Sequence, residues 1–162
     1  MAHKDLREFT KALESGSDLI TVDDEVYWDQ ELAGIGRLSC ERDGPAFMFN
    51  NVKDYAGWRV LANPVSGWRR YAVALGLPAS TPVREMYKIY AEREQNPIPP
   101  TLVNSSPCKD VIIPESDIDL FDLPVPMVHD GDGGRYLGTW DLVISKDRDS
   151  GWVNWGMYRF MI

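Results

Sequence analysis

The segment at residues 134–162 constrains the fold of this chain more than any other stretch. Two of its parts, residues 138–145 and 152–162, are rich in the β-branched and aromatic side chains that favour strands. The residues between them are polar and end at Gly151, which can adopt the positive φ that tight turns require. The sequence therefore predicts a β-hairpin, with residues 146–151 as its turn.

The second predicted strand carries polar and small residues that a core strand does not need. They are Asn154, Gly156, Tyr158 and Arg159. An asparagine carboxamide oxygen suits Mg²⁺ or Mn²⁺, and a guanidinium suits a carboxylate or phosphate. Asn154 and Arg159 have opposite parity, so a regular strand would point them to opposite faces. If both serve one site, the strand must carry a bulge or kink, and Gly156 is the residue that would allow it.

The composition argues against several classes of protein. A chain of 162 residues is long enough for a domain with its own core. The net charge of −8 and the pI near 4.7 argue against a surface for nucleic acid or anionic membranes, which would need a basic patch. The N-terminus is charged, and no apolar run is long enough to span a bilayer. We therefore expect a cytoplasmic protein without a nucleic-acid or membrane partner.

Cysteine and histidine are scarce in this sequence. Cys40 and Cys108 form neither a metal-binding spacing nor a disulfide framework, and the favoured interpretation is that each is a buried small apolar residue. The two histidines, His3 and His129, are too few to support a Ser-His-Asp arrangement. The residues therefore give no indication of a hydrolytic triad.

The N-terminal half predicts alternating helices and strands. Asp5 can cap a first helix that runs through Glu14 and ends at Gly16, and residues 19–22 form a short strand. Asp29 can cap a second helix, whose apolar positions are Leu32, Ile35 and Leu38.

Two further strands and two further helices complete this half. Residues 46–49 and 58–62 are predicted strands, and residues 68–75 are a predicted helix. Pro82 opens a last helix that runs towards Glu94. The apolar stripe of that helix, which we expect to be core, consists of Val83, Met86, Tyr87 and Tyr90.

Residues 96–128 change in character because seven prolines make the chain extended and irregular. Residues 111–113 could form a strand, whereas acidic residues between a few apolar anchors predict a solvated loop around residues 117–122. We interpret the whole segment as a linker.

Two polar clusters invite a ligand-binding interpretation, but a structural one is favoured for each. Residues 23–25 are acidic, yet their spacing fits no Ca²⁺ loop, so a solvated turn is favoured. Residues 129–134 combine histidine, aspartate and glycine without the strand-turn-helix context of a phosphate-binding loop. A tight turn leading into the hairpin is favoured there, and we assign His129 no role.

Residues 154–159, with the sequence NWGMYR, resemble the N-x-G-x-Y-R segment of the UbiD-type reversible decarboxylases. Enzymes of that family use prenylated FMN (prFMN) with a divalent metal ion and K⁺. Thr139 lies where the family has a threonine that contacts the cofactor. Segments at residues 5–9, 44–53 and 130–136 resemble the family in the same order, so the resemblance covers nearly the whole chain.

The resemblance implies a mixed α/β fold. A small N-terminal α/β domain at residues 1–95 would be followed by a proline-rich crossing linker at residues 96–128. Residues 129–162 would then supply the first strands of a split-β-barrel domain that binds prFMN. Family enzymes are much longer, so this chain looks like their N-terminal third. Because residues 158–162 stop within an apolar strand, we expect either a longer chain or a second polypeptide that completes the sheet.

The resemblance also assigns the site. Asn154 would bind the Mn²⁺ or Mg²⁺ ion that bridges to the cofactor phosphate. Thr139, Met157, Tyr158 and Arg159 would contact the flavin, and Arg159 would be catalytic by holding the substrate carboxylate or stabilising developing negative charge. The family's other metal ligands and its catalytic carboxylates lie downstream, so we expect this chain alone to be inactive.

The partners implied are an aromatic or α,β-unsaturated carboxylic acid, the remainder of the enzyme and a flavin prenyltransferase that supplies the cofactor. The resemblance also implies a homo-oligomer. Two alternatives stay open. One is a non-catalytic partner or regulatory subunit that kept only this region. The other is a plain FMN-binding module, although the sequence contains no dinucleotide-binding fingerprint.

Overall fold

The computed structural model describes residues 3–99, 101–138 and 141–162. The helices within these ranges are α1 (Leu6–Ser15), α2 (Glu31–Glu41), α3 (Trp68–Ala74) and α4 (Val83–Glu94). The strands are β1 (Leu19–Val22), β2 (Ala46–Phe49), β3 (Val60–Ala62), β4 (Tyr136–Gly138), β5 (Val143–Lys146), β6 (Val153–Gly156) and β7 (Phe160–Met161). The fold is mixed α/β, as predicted.

The chain folds into two compact units. One unit contains the residues up to Leu19 together with Pro64–Asp119, and the other contains Ile20–Asn63 together with Leu120–Ile162. Each unit is therefore built from two separate stretches of sequence. The segment that carries the N-x-G-x-Y-R motif belongs to the second unit, with the residues around β2 and β3.

The first unit is helical. Asp5 begins α1 as predicted, because its side-chain oxygen accepts a hydrogen bond from the Glu8 amide at 2.9 Å. Phe9 and Leu13 form the buried face of α1, which packs against α3. In the same unit, Asp18 accepts hydrogen bonds from Arg69 and from the fully buried Arg70.

A three-stranded sheet with the order β1-β2-β3 forms the centre of the second unit. Strands β2 and β3 are antiparallel and place Phe49 opposite Val60. Helix α2 packs against β2 and β3. The core beneath the sheet consists of Val26, Leu32, Phe49 and Val52, each at most 3% exposed. The predicted strands at residues 19–22 and 46–49 are confirmed.

The prediction for the start of α2 was wrong. Asp29 does not cap the helix; Gln30 occupies the N-cap position with a φ of 66° and makes no capping hydrogen bond. The backbone of Asp29 forms a parallel bridge with Met127 instead, and the carboxylate of Glu31 accepts a hydrogen bond from the Tyr27 amide at 2.8 Å. A long-range backbone pairing thus takes the place of the local cap.

Two burial predictions and one strand prediction also fail. In the apolar stripe of α4 only Met86 is buried, and Tyr87 is 73% exposed. The stripe lines an open apolar cleft with α3 instead of a core. Cys40 and Cys108 are both exposed. Residues 111–113 are exposed and do not form a strand, because no other strand pairs with them among the described residues.

The segment predicted as a linker contains three short 3₁₀ turns, at Pro107–Lys109, Glu115–Asp117 and Leu120–Asp122. Pro107 is the first residue of one turn, and Pro114 lies directly before another. No helix in the described part of the chain is long and apolar enough to cross a membrane.

Candidate functional site

The hairpin at the C-terminal end of the chain is built from β5 and β6. The two strands are antiparallel, with Ser145 opposite Asn154 and Val143 opposite Gly156. Gly151 adopts a φ of 72°, which confirms its predicted part in the turn. Asp147 stabilises the turn by accepting hydrogen bonds from the Asp149 amide and from the amide and hydroxyl of Ser150. These bonds, above all the one from the Ser150 amide, lower the pKa of Asp147.

The predicted strand at residues 152–162 is interrupted in the middle of the motif. β6 ends at Gly156, and β7 pairs with β4 instead of β5. The uninterrupted strand was therefore a wrong prediction, and the interruption lies at Gly156, the residue that was expected to allow a bulge or kink. A strand that changes partner at this point no longer forces Asn154 and Arg159 to opposite faces of one sheet.

Gly156 has a second, steric role in the motif. A Cβ atom at this position would lie 2.6 Å from Cε2 of Tyr158, closer than real Cβ contacts come. The absence of a side chain lets the Tyr158 ring fold back beside the strand. Its hydroxyl then accepts a hydrogen bond from Nδ2 of Asn154 at 3.1 Å. The spacing of Asn154, Gly156 and Tyr158 therefore has a local physical reason.

Asn154 lies partly buried in β6 with its amide nitrogen held by Tyr158. When the nitrogen donates, the carboxamide oxygen is the side-chain atom left for a cation, and a hard oxygen ligand suits Mg²⁺ or Mn²⁺. Among the described residues, no group of three or more His, Cys, Asp or Glu side chains could hold a metal ion. Asn154 would therefore be one ligand in a set that other residues complete.

Arg159 follows the kink and lies on the exposed side of the second unit. Its guanidinium carbon lies over the ring of Tyr136, 5.6 Å from the ring centroid. Within the described ranges Arg159 makes no ion pair and no hydrogen bond. The donors of its guanidinium are thus available for an anion.

The predicted site residues fall into two contacts. Asn154 meets Tyr158, and Arg159 meets Tyr136; in the described part of the chain no hydrogen bond joins Asn154 to Arg159. The side chains of Met157 and Tyr158 are 62% and 52% exposed. Thr139 lies outside the described residues. The assignment of these five residues to a cofactor site remains a prediction.

Sequence reasoning missed Arg135, whose side chain makes several hydrogen bonds and ring contacts within the second unit. Its Nη2 donates to the Tyr55 hydroxyl at 2.6 Å, and its Nε donates to the Val125 carbonyl at 2.5 Å. Its guanidinium also lies 4.2 Å from the centroid of the Trp28 ring. These partners lie far away in sequence or are backbone atoms, so no local pattern indicates them.

Each of the two polar clusters makes hydrogen bonds within the protein. Asp23 accepts a long-range hydrogen bond from Nδ2 of Asn50 at 2.8 Å. At the glycine-rich cluster, the Asp132 amide donates to the His129 carbonyl, and the Asp132 carboxylate accepts from the His129 amide at 3.2 Å. This is the tight turn that was predicted for residues 129–134.

Comparison with known proteins identifies the family. The model of the 3-octaprenyl-4-hydroxybenzoate carboxy-lyase N-terminal domain, UbiD_N, matches residues 10–89. The model of the Rift-related domain of the same carboxy-lyase, UbiD, matches residues 101–162. The chain belongs to the UbiD family of carboxy-lyases. The second of these matches includes both Asn154 and Arg159.

Similar proteins agree with this assignment. The UbiD-family chain is 37% identical over 170 residues to the phenolic acid decarboxylase of Bacillus subtilis (strain 168), a match that covers all of this chain and 36% of that protein. The vanillic acid decarboxylase of Sedimentibacter hydroxybenzoicus in its closed form has a TM-score of 0.89 at 32% identity, over 99% of this chain and 35% of the other.

The UbiD-class enzyme HmfF from Pelotomaculum thermopropionicum, in an evolved dimeric form in complex with prFMN, has a TM-score of 0.82 at 32% identity. That similarity covers 97% of this chain and 35% of HmfF. The UbiD-family chain thus spans about a third of the length of the relatives it matches.

Proposed function

We propose that this chain is the N-terminal part of a UbiD-type decarboxylase that acts reversibly on an aromatic or α,β-unsaturated carboxylic acid through prFMN. Membership of the family and the names of the relatives, which include decarboxylases of phenolic and vanillic acids, support the class of reaction. The observation that carries the proposal is Arg159, a cation at the end of the motif that pairs with no carboxylate among the described residues.

Arg159 suits an anionic substrate or cofactor. A guanidinium presents a planar fork of N–H donors that matches a carboxylate or phosphate in two parallel hydrogen bonds. The Tyr136 ring contacts the cation without using any of those donors. Arg159 would therefore hold the substrate carboxylate in place, or stabilise the negative charge that develops during the reaction.

The residues around the kink fit the proposed cofactor. prFMN, when bound, supplies the electron sink for the carbon that loses CO₂. Met157 and Tyr158 offer exposed apolar and aromatic surface for an isoalloxazine ring, and Thr139 is proposed as a further contact. The Asn154 oxygen would bind the Mn²⁺ or Mg²⁺ ion that bridges to the cofactor phosphate. We include K⁺ in the proposal because the motif resemblance implies it.

The exposed apolar side chains on and beside β6 and β7 support a role for the remainder of the enzyme. Large apolar side chains on β6, β7 and the residues beside them are between 47% and 66% exposed: Trp152, Trp155, Met157, Phe160 and Met161. An apolar surface of this kind is typical of an interface. We propose that downstream chain or a second polypeptide covers it and adds the missing metal ligands and catalytic carboxylates. A homo-oligomer belongs to the same proposal.

The proposed function also implies a division of the sequence into domains. We propose an N-terminal α/β domain at residues 1–95, a crossing linker at residues 96–128 and the start of the prFMN-binding domain at residues 129–162. The two family matches, at residues 10–89 and 101–162, support a boundary within the proline-rich segment.

The experiment is native mass spectrometry of the protein co-produced with a flavin prenyltransferase, because it measures polypeptide masses and bound cofactor together. We expect prFMN and a divalent metal in an assembly that contains more polypeptide than the 18.4-kDa chain. The 18.4-kDa chain as the only polypeptide should show no decarboxylation of a phenolic or cinnamic acid. Turnover by that chain alone would refute its predicted incompleteness.

Variants connect the result to the site. Asn154→Ala should reduce bound metal, and Arg159→Ala should reduce turnover in the assembly. Asn104→Ala and Arg148→Ala are matched controls, because both residues are exposed and lie outside the motif. An assembly without flavin would overturn the decarboxylase proposal and favour a regulatory subunit. An assembly with unmodified FMN and no turnover would favour the plain FMN-binding module.

A further inference from the structure

We infer that Tyr136 is a positioning residue for Arg159, and that Arg135 anchors the strand from which Tyr136 acts. The inference rests on the proposed function, since it concerns the arginine that would meet the substrate or cofactor. It goes beyond that function by assigning roles to two residues outside the N-x-G-x-Y-R motif.

Tyr136 contacts the motif through both its backbone and its side chain. It pairs with Met161 across the antiparallel strands β4 and β7, and its ring lies under the Arg159 guanidinium at 5.6 Å. The pairing fixes the backbone just after Arg159, and the ring restricts where the side chain can go. An exposed arginine without such a contact would sample many rotamers.

The kind of contact matters as much as its location. A carboxylate partner would hold Arg159 but would also occupy its N–H donors and neutralise its charge. An aromatic face attracts the cation and leaves both donors and charge available. Tyr136 thus restricts the side chain in a manner compatible with anion binding, which an ion pair would not be.

Arg135 connects β4 to the core of the second unit. Its side chain donates to the carbonyls of Leu123 and Val125 and to the Tyr55 hydroxyl, and it lies over the Trp28 ring. Its own carbonyl accepts a hydrogen bond from the Ile162 amide at 3.0 Å. Arg135 therefore links Trp28 and Tyr55, which pack against the buried core, to Ile162 directly after β7, and Tyr136 is the next residue in the chain.

The direct test uses NMR of the chain with labelled arginine. A ring face shifts nearby nuclei upfield, so the side-chain protons of Arg159 should resonate away from their random-coil positions. Tyr136→Leu should return these signals to random coil, whereas Tyr136→Phe, which keeps the ring, should not. Trp152→Leu removes an exposed aromatic ring just before β6 and should leave them unchanged. Arg159 signals unaffected by Tyr136→Leu would overturn the inference.

Arg135→Lys tests the anchor. Lysine keeps a positive charge near Trp28, but its single ammonium cannot reproduce the fork that reaches two carbonyls and a hydroxyl. We expect the upfield shift of Arg159 to decrease while the amide signals of β5 and β6 persist. If the upfield shift of the Arg159 signals is unchanged in Arg135→Lys, the anchoring role of Arg135 is wrong. The positioning role of Tyr136 is then decided by the Tyr136→Leu measurement alone.

A double-mutant cycle in the flavin-loaded assembly tests the consequence for catalysis. Tyr136→Leu should lower kcat/KM by about two- to fivefold, the value of an exposed cation–π contact, and Tyr136→Phe should restore it. In the Arg159→Ala background, Tyr136→Leu should have no further effect. Equal effects in both backgrounds would mean that Tyr136 acts through stability alone. The NMR measurement needs no flavin or turnover, so it separates failure of this inference from failure of the proposed function.

Discussion

Replacement of Asp18 by asparagine should destabilise the first unit strongly, because the Asp18 carboxylate balances the positive charges of two arginines. Its carboxylate oxygens lie 2.7 and 2.9 Å from Arg69 and 3.0 Å from Arg70. The side chain of Arg70 is only 1% exposed, and that of Asp18 only 12%. Removing one partner of a buried ion pair typically costs about 3–5 kcal/mol, and the partial exposure of Arg69 favours the lower end. We expect the free energy of unfolding to fall by about 3 kcal/mol.

The same cluster predicts that the free energy of unfolding depends on pH. Burial raises the pKa of Asp18, but the hydrogen bonds and charges of Arg69 and Arg70 outweigh it and leave the pKa below its ordinary value. The unfolded chain therefore binds more protons than the folded chain between the two pKa values. The contribution of Asp18 is present in full above its unfolded pKa of about 3.9 and is lost as the pH falls through the folded pKa.

The assay is urea denaturation of the chain between neutral and acidic pH, with hydrogen exchange of the α1 and α3 amides to follow the first unit separately. Glu41→Gln is the matched control, because Glu41 also meets an arginine at 2.8 Å but both side chains are exposed. The control should change stability little. A loss in Asp18→Asn no larger than in the control, or an unchanged acid dependence, would refute the reasoning.

Three further changes test the fold. Phe49→Ala empties a fully buried position of the core beneath the sheet and should lower the unfolding free energy by about 3–5 kcal/mol in urea; a small loss would mean that the core collapses around the gap. Gly151→Ala places a side chain at a φ of 72° and should cost about 1 kcal/mol in the same assay. Asp5→Ala removes the cap of α1 and should lower its thermal midpoint in circular dichroism, whereas Asp5→Asn should not.

Local patterns predicted the elements whose causes lie close together in sequence. Asp5 and Glu8 form one turn, so the start of α1 is encoded within four residues. The position of Gly156 in an apolar strand indicated where the strand is interrupted, and the folded-back Tyr158 ring explains why a glycine stands there. The resemblance of residues 154–159 to the UbiD family indicated the family together with the segments at residues 5–9, 44–53 and 130–136, because each of these motifs is contiguous and they occur in the same order.

Predictions failed where a distant segment competed with a local preference. Asp29 has the chemistry of a helix cap, but pairing with Met127 takes its backbone away from that role. The stripe on α4 has the period of a buried face, yet periodicity shows only which residues share a face and not whether another element covers it. The apolar run at residues 152–162 forms two strands instead of one, because β6 pairs with β5 whereas β7 pairs with β4.

The sequence by itself determined the turn at Gly151, the cap at Asp5, the kink at Gly156 and the order of motif residues, since each depends on neighbours within a few positions. Only the tertiary structure decided the surroundings of Arg135, whose hydrogen bond to Tyr55 joins residues 80 positions apart. It also decided the contact of Arg159 with Tyr136, because a strand chooses its partner by packing and hydrogen bonding over the whole unit. The side chain of Arg159 thus determines which groups it can bind, but the fold determines where its guanidinium lies.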